Sequence, residues 1–444
     1  MELISFNKSA LEKKGTNIRT EIMAGITTFL AMAYILAVNP DILKDAGMNA
    51  GAVFTATALS AAIATFVMGI IANLPFALAP GMGLNAFLAY TVVLGMGYSW
   101  QFALTAVFVE GIIFILLTFF NVREAIVNSI PANLKKAISV GIGMFIAFIG
   151  MQNAELIVDD VATLVGLGNF MVPGPAMLAV IGLIITGVLV AFNLKGALLI
   201  GIIITTILGI PMGVTTYAGG SYLPPSLGPT FCKFAFNEVT GAAVIDFIVV
   251  LFTFLFVDMF DTVGTLIGCA GKANMIEADG SIPNCKEALL ADAIGTTVGA
   301  MLGTSTVTTF VESSTGVVEG GRTGVTAIVT GALFVLSLFL APLFLSIPKA
   351  ATAPALILVG FYMMSPVKDI DWDDPSEGIP AFLCIIMMVA CYSISDGIMF
   401  GILTYTIIKL CKKDFKALTL PTIVVALLFV CKLVVDNIPV WAAL

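Results

Sequence analysis

Long apolar segments recur from one end of the chain to the other, separated by short polar breaks. A helix needs about 20 apolar residues to cross a hydrocarbon core about 30 Å thick, and most of these segments have that length or nearly so. Hydrophobic residues make up 59% of the 444 positions and charged residues only 11%, whereas soluble chains are about a quarter charged. The pattern predicts a polytopic membrane protein and excludes a soluble globular domain.

The apolar segments predict an all-α fold of about fourteen membrane spans. Lysine and arginine residues concentrate in alternate loops, which by the positive-inside rule places the N-terminus in the cytoplasm of a multi-pass cell-membrane protein. No short apolar region with a cleavage site follows the N-terminus, so we expect no cleaved signal peptide. The predicted spans lie near residues 20–38, 51–73, 82–95, 101–120, 136–152, 173–192, 195–213, 243–267, 287–303, 311–320, 324–343, 350–364, 379–394 and 396–411.

The two halves of the chain resemble each other weakly. Ser129-Ile130-Pro131 precedes the fifth span and Ser346-Ile347-Pro348 precedes the twelfth. Seven spans per half is an odd number, so residues 1–235 and 236–416 would form two repeats of inverted orientation. Inverted repeats are typical of secondary transporters that bind their substrate near the midplane. Chance similarity among apolar helices is the alternative, and the sequence leaves open whether the apolar segment within 417–444 crosses the membrane.

The third and tenth spans contain breaks in corresponding places. In residues 73–93, Pro80 forbids a regular helix before Met82, and in residues 303–320 the polar, β-branched run 305–309 favours a short strand. Extended backbone at membrane depth persists only where it is buried in protein or lines a cavity. We therefore expect the two segments to pair and their half-helices to begin near the midplane around a binding site. The alternative is that proline and glycine merely kink packed helices.

Acidic side chains inside spans are costly and indicate function by default. Asp258 and Asp261 are three residues apart in the eighth span and share a helical face, and Glu312 lies where the tenth half-helix begins. Two carboxylates this close could share a proton, as a proton-coupled carrier requires, although Asp261 could instead hold a neighbouring helix. The predicted substrate-binding residues are Asp258, Glu312, Asn85, Gly83, Phe310, Val311, Ser313 and Phe256. The predicted proton-coupling residues are Asp258, Asp261 and Glu312.

Several other functions find no support in the residues. The chain has no histidine, and its seven cysteines have no paired spacing, so we expect no metal site, disulfide framework or cofactor. No basic stripe indicates nucleic acid, and no catalytic motif of an enzyme stands out. An inorganic-anion exchanger would avoid several carboxylates in its site. That exchanger, or an intramembrane enzyme or channel, is the alternative to a carrier.

Four motifs and a preceding dipeptide resemble the AzgA/PbuG-type branch of the nucleobase–cation symporter-2 family, over nearly the whole chain. They are Thr20-Glu21, AGITTFLAMAYILAVNP (24–40), APGMGLNA (79–86), VDMFDTVGTL (257–266) and VESSTGVVEGGRTGVTA (311–327). The resemblance implies a 7+7 inverted repeat with a core domain of spans 1–4 and 8–11 and a gate domain of spans 5–7 and 12–14. It also implies proton-coupled uptake of adenine, guanine or hypoxanthine across the bilayer.

The family's functional residues fall on residues that the spans already single out. The resemblance places its substrate-binding acids on Asp258 and Glu312, its Gly-x-Asn pair on Gly83 and Asn85, and a second acid on Asp261. The absence of a histidine in the eighth span argues for the purine branch rather than the uracil and xanthine branches. The sequence does not rank the purine bases, and it leaves open whether the protein forms a homodimer.

Overall fold

A computed structural model describes residues 11–12, 14–119, 131–217, 219, 221–241, 243–273, 275 and 282–441. The chain is mostly helical, with four short strands among the described residues. Ser129 and Ile130 of the repeat signature lie outside the described residues.

The first half of the chain forms seven apolar segments. Their elements are α1 Ile18–Met32, α2 Ile35–Asp45, α3 Ala50–Val67 with a π-helical end Met68–Ala72, β1 Leu78–Pro80, α4 Met82–Ala86 with a π-helical continuation Phe87–Gly95, α5 Trp100–Phe119, α6 Ala132–Asn153, the hairpin strands β2 Ile157–Asp160 and β3 Leu164–Leu167, α7 Pro175–Ala191 and α8 Ala197–Gly209.

The second half forms seven more segments and a final helix, after a short 3₁₀ turn at Phe236–Glu238. Its elements are α9 Ala243–Lys272, α10 Cys285–Leu302, β4 Val307–Thr309, α11 Ser313–Val318, α12 Gly324–Ser337, a 3₁₀ turn Leu338–Leu340, α13 Ala341–Phe344, α14 Lys349–Met363, a 3₁₀ turn Ser365–Asp369, α15 Pro375–Ala390, α16 Ile394–Cys411 and α17 Leu420–Trp441.

The count of fourteen segments agrees with the sequence prediction. Seven helices among the described residues are long and apolar enough to cross a bilayer, and four shorter apolar helices accompany them. The helices α9 and α10 and the interrupted segment β4–α11 complete the two sets of seven. The helix α17, which the sequence left undecided, packs along α16 and α9.

The two interrupted segments pair with each other, as predicted. Strands β1 and β4 are antiparallel, with Leu78 opposite Thr309 and Pro80 opposite Val307. The amide of Gly81 donates to the carbonyl of Thr306 at 3.0 Å and extends the ladder at one end. The strand is shorter than the predicted 305–309, because the pairing covers only residues 307–309. The sequence predicts a half-helix from about Phe310, and α11 begins three residues later, at Ser313.

Side chains from neighbouring helices satisfy the outer edges of this two-stranded ribbon. The hydroxyl of Thr65 on α3 bonds both the amide and the carbonyl of Leu78, at 2.9 and 3.1 Å. The hydroxyl of Thr296 on α10 does the same for Val307, at 3.2 Å each. The helices α3 and α10 are the second segments of the two repeats, so one device recurs in both halves. It leaves these backbone groups satisfied at a depth where water is absent.

The helices pack in two groups around this ribbon. In one group α12 packs against α1 and α3, and α10 packs against α3 and α5. In the other, α6 packs against α14 and α15, and α7 against α8 and α14. A Cβ atom added to Gly360 on α14 would lie 2.4 Å from the carbonyl oxygen of Gly143 on α6. These two helices therefore meet at backbone distance, as small residues allow in membrane proteins.

Within the first group of helices, the carboxylate of Glu21 links α1 to the start of α12. Glu21 is fully buried in the first turn of α1. It accepts from the amide of Arg322 at 2.9 Å, and from the amide and hydroxyl of Thr326 at 3.2 and 2.6 Å. It thereby caps the start of α12, whose first amides have no partner within the helix. This contact gives a structural reason for an acid at this position in the Thr20-Glu21 motif.

We predict that Glu21→Ala lowers the melting temperature of the detergent-purified protein, because it strands buried amide donors at a cost of about 1–3 kcal/mol. Glu21→Gln, which keeps one carbonyl acceptor, should cost less. The exposed Asp159→Ala is the matched control. Equal melting temperatures for Glu21→Ala and this control would contradict the capping role.

Candidate functional site

A cavity of about 570 Å³ lies between the two groups of helices. The paired segments β1–α4 and β4–α11 supply one wall together with α9 and the turn between α1 and α2, and α6 and α14 supply the other. Its lining residues include Tyr34, Met82, Gly83, Leu84, Lys135, Lys136, Ile138, Ile142, Ile146, Asp261, Thr265, Thr308, Phe310, Val311, Glu312, Tyr362 and Met363. The volume falls in the range of pockets that bind small molecules.

Two carboxylates face this cavity, Asp261 from α9 and Glu312 from the turn before α11. The hydroxyl of Tyr34 donates to Glu312 Oε1 at 2.6 Å, and Thr308 on β4 lines the cavity beside Asp261. Each acid therefore has a neutral hydroxyl group as a neighbour. An acid with such a neighbour keeps an acceptor for the N–H group of a ligand.

Three further predicted residues line the same cavity: Gly83, Phe310 and Val311. A Cβ atom added to Gly83 would lie 2.7 Å from Cγ2 of Ile142 on α6, so glycine permits the half-helix α4 to approach the opposite wall. The first amide of α4 that bonds within the helix is that of Asn85, to the carbonyl of Gly81 at 2.9 Å. The amides of residues 82–84 precede this bond and belong to the cavity wall.

The other four predicted residues lie outside the lining of this cavity. Asp258 is fully buried, and the hydroxyl of Thr262 lies 3.3 Å from its Oδ1 and 2.6 Å from Oδ1 of Asp292. The side-chain oxygen of Asn85 accepts from Ser305 behind the ribbon. The two remaining residues have packing contacts: the hydroxyl of Ser313 bonds Ala77, and Phe256 packs on Phe252.

The positions of Asp258 and Asp261 follow from helix geometry. Three residues rotate a helix by about 300°, so the two carboxylates diverge by about 60° around α9. Asp261 consequently faces the cavity while Asp258 points toward α10, which carries Asp292. The substrate role of Asp258 stays a prediction. Because Asp261 lines the cavity, it is the alternative carboxylate for binding the substrate.

The two ends of the cavity region differ in their charged groups: two lysines line one end, and an ion pair lies beyond the other. Lys135 and Lys136 line the cavity at the start of α6, where Lys136 donates to the carbonyl of Asp369. At the opposite end of α14, Lys349 Nζ lies 2.6 and 2.7 Å from the carboxylate oxygens of Asp45 on α2. Lys349 and Tyr362 are thirteen residues apart, or about 20 Å along the helix. The acids therefore lie between the end of the cavity that carries Lys135 and Lys136 and an ion pair that joins α2 to α14.

Most lining residues were not predicted from the sequence, and among them are three with hydroxyl groups close to the acids: Tyr34, Thr308 and Tyr362. Hydroxyl groups inside apolar spans are the signal that could have found them, because a buried hydroxyl needs a hydrogen-bond partner. Among the described residues, no group of three or more Cys, Asp or Glu side chains is placed to hold a metal ion.

Comparisons with known proteins agree with this architecture. The transmembrane domain of the cyanobacterial bicarbonate transporter BicA superposes with a TM-score of 0.62 over 86% of this chain and 97% of that domain, at 15% identity. The all-α fold of two inverted seven-span repeats is therefore confirmed. At this identity the similarity concerns the fold alone.

Two characterised relatives are more similar in sequence. The adenine permease AdeP of Escherichia coli is 43% identical over 424 residues, covering 96% of this chain and 94% of the relative. The guanine/hypoxanthine permease PbuG of Bacillus subtilis is 44% identical over 417 residues, covering 91% and 94%. The sequence profile of the permease family that includes xanthine and uracil permeases matches residues 19–400. The chain therefore belongs to this permease family and is a multi-pass membrane protein similar to adenine and guanine/hypoxanthine permeases.

Proposed function

We propose that this protein is a secondary transporter, not an enzyme, that imports purine bases across the cell membrane. The observation that carries the proposal is the pair Asp261 and Glu312, which face one cavity beside the paired half-helices. The names of the relatives supply the substrate class, since AdeP and PbuG are permeases for adenine and for guanine and hypoxanthine.

A purine base fits the donors and acceptors of this cavity. Its ring and exocyclic N–H groups can donate to the carboxylates of Asp261 and Glu312, with bonds to charged groups worth about 1.5–3 kcal/mol each. Its carbonyl or ring nitrogen can accept from the amides at the start of α4. The apolar side chains of Ile142, Phe310 and Met363 cover the faces of a flat base.

An inorganic anion fits the cavity less well, although BicA shares the fold. Two acids at the depth of the half-helices would repel bicarbonate or chloride. The lysines of the lining, Lys135 and Lys136, lie at the start of α6 and not beside the half-helices. Charge at the site therefore favours a base with N–H donors.

In the proposed mechanism, the two groups of helices move relative to each other. We assign the core domain to segments 1–4 and 8–11 and the gate domain to segments 5–7 and 12–14, because the cavity lies between these groups. With the N-terminus in the cytoplasm, the cavity faces inward. The Asp45–Lys349 ion pair closes the outer end in this state, since it joins α2 of the core to α14 of the gate.

Proton coupling is the proposed energy source. Asp261 and Glu312 lie in the cavity with hydroxyl partners, so either acid can take up or release a proton without breaking an ion pair there. The buried set Asp258, Thr262 and Asp292 lies behind Asp261 on the same helix and its neighbour. The carboxylates of this set are additional groups that can share the proton.

We predict that Asp261→Asn and Glu312→Gln each raise the KM for labelled hypoxanthine by about 10-fold or more, since each removes a bond to a charged group. Uptake by a purine-permease-deficient bacterium measures this. Asp258→Asn should change the KM by less than about threefold, because Asp258 lies outside the cavity lining, and the exposed Glu155→Gln is the control. If Asp258→Asn raised the KM more than Asp261→Asn does, Asp258 and not Asp261 would be the residue that binds the substrate.

Uptake should collapse when a protonophore removes the proton gradient, and it should be insensitive to replacement of sodium by potassium. Purified protein in liposomes provides the measurement, with an inward proton gradient as the only energy source and an internal dye that reports proton entry with the base. The double variant Asp261→Asn with Glu312→Gln should abolish base-dependent proton entry, because it removes both exchangeable acids of the cavity. Accumulation that persists without a proton gradient and requires sodium would refute proton symport.

Breaking the Asp45–Lys349 pair should favour the outward-open state, since a half-exposed ion pair contributes about 1 kcal/mol, or a population shift of about fivefold. Lys349→Gln should therefore lower the KM for external base. The double variant Asp45→Lys with Lys349→Asp should restore the wild-type KM. The exposed Lys44→Gln, which lies beside Asp45 on α2, is the control. Single variants that behave as this control would refute the closing role.

A further inference from the structure

We propose that Tyr34 is a positioning residue, which holds the Glu312 carboxylate in the orientation that binds the base. This inference rests on the proposed function and deepens it. Tyr34 lies in the turn between α1 and α2, far from Glu312 in sequence. Its ring is fully buried, and it lines the same cavity as Asp261 and Glu312.

The contact between the two side chains is direct and short. The hydroxyl of Tyr34 donates to Glu312 Oε1 at 2.6 Å, within the range of charge-assisted O–H···O bonds. A phenol carries a single proton, so this bond fixes one carboxylate oxygen and leaves Oε2 to accept from a ligand. Tyr34 therefore sets the direction in which Glu312 presents its remaining acceptor.

Glu312 needs such an anchor because of its place in the chain. It lies in the turn between β4 and α11, after a strand of three residues and before a helix of six. Val311 beside it is half exposed to the cavity, so packing alone does not fix this turn. A side chain from the first repeat thus holds an acid of the second repeat. In the same way, the β1–β4 hydrogen bonds hold the backbones of the two repeats together.

A tyrosine suits this task better than a cation. A lysine or arginine at the same place would favour the ionised carboxylate strongly and would compete with the N–H groups of a base. The neutral hydroxyl of Tyr34 can donate to Glu312 whether the other oxygen is protonated or not. The acid therefore keeps its geometry through a cycle in which it gains and loses a proton.

Tyr34→Phe tests the role, since it keeps the ring and removes only the hydroxyl. We expect the Kd for hypoxanthine, measured by equilibrium binding to the purified full chain, to rise about 10-fold, while the turnover number at saturating base changes by less than about twofold. Tyr405→Phe is the matched control, because Tyr405 is also buried and its hydroxyl bonds the carbonyl of Ala417, at 3.5 Å, while Tyr405 is not among the lining residues of the cavity.

A double-variant cycle separates positioning from a general loss of structure. In a Glu312→Ala background, which removes the carboxylate that Tyr34 holds and where millimolar hypoxanthine allows weak binding to be followed by thermal shift, adding Tyr34→Phe should raise the Kd by less than about twofold. Independent action would multiply the two effects. A full additional 10-fold loss would show that Tyr34 acts on the base directly or on the fold, and would overturn the inference.

The outcomes for the two proposals are distinct. Wild-type protein that binds none of adenine, guanine and hypoxanthine would overturn the proposed function and this inference together. Wild-type protein that binds a base while Tyr34→Phe behaves as Tyr405→Phe would overturn the role of Tyr34 and leave the function standing.

Discussion

The hydrogen bonds between β1 and β4 determine where everything else in the molecule lies. Backbone amides and carbonyls cost several kcal/mol when they are unsatisfied in an apolar medium, so two broken segments in a bilayer must pair or be covered. Here they pair, and threonines of α3 and α10 satisfy the groups that the pairing leaves over. Because each strand comes from a different half of the chain, the ribbon brings both half-helices to one depth. The acids and the cavity take their positions from that meeting.

The carboxylates near the half-helices have hydroxyl groups as neighbours. Thr308 lies beside Asp261, Tyr34 donates to Glu312, and Thr262 lies between Asp258 and Asp292. The lysines that line the cavity belong to the start of α6, away from these acids. Neutral partners satisfy one acceptor of an acid and leave its charge available to a substrate or a proton. In contrast, Asp45 beyond the opposite end of α14 has a cationic partner, Lys349, and this ion pair joins α2 to α14.

Much of this arrangement could be predicted from the sequence because it depends on local or periodic features. Apolar run length gave the fourteen segments, and Pro80 with the β-branched run before Phe310 gave the two interruptions and their pairing. The choice between Asp258 and Asp261 could not be made in this way, since a shared helical face spans an arc wider than one cavity wall. Tyr34 was also out of reach, as its partner Glu312 is 278 positions away. Only the pairing of the repeats, which sets the tertiary neighbours, brings them together.

The shared fold of this permease and a bicarbonate transporter locates the difference in substrate within the site. In this chain the broken segments pair, because backbone chemistry in a bilayer allows few alternatives. Half-helix amides favour negative charge, which suits an anion without further adjustment. Under the proposed function, Asp261 and Glu312 offset that preference, because two carboxylates beside the amides make the same position attractive to a neutral ligand with both donors and acceptors. A purine base has that combination, and this is the physical reason for the proposed assignment of the base to this position.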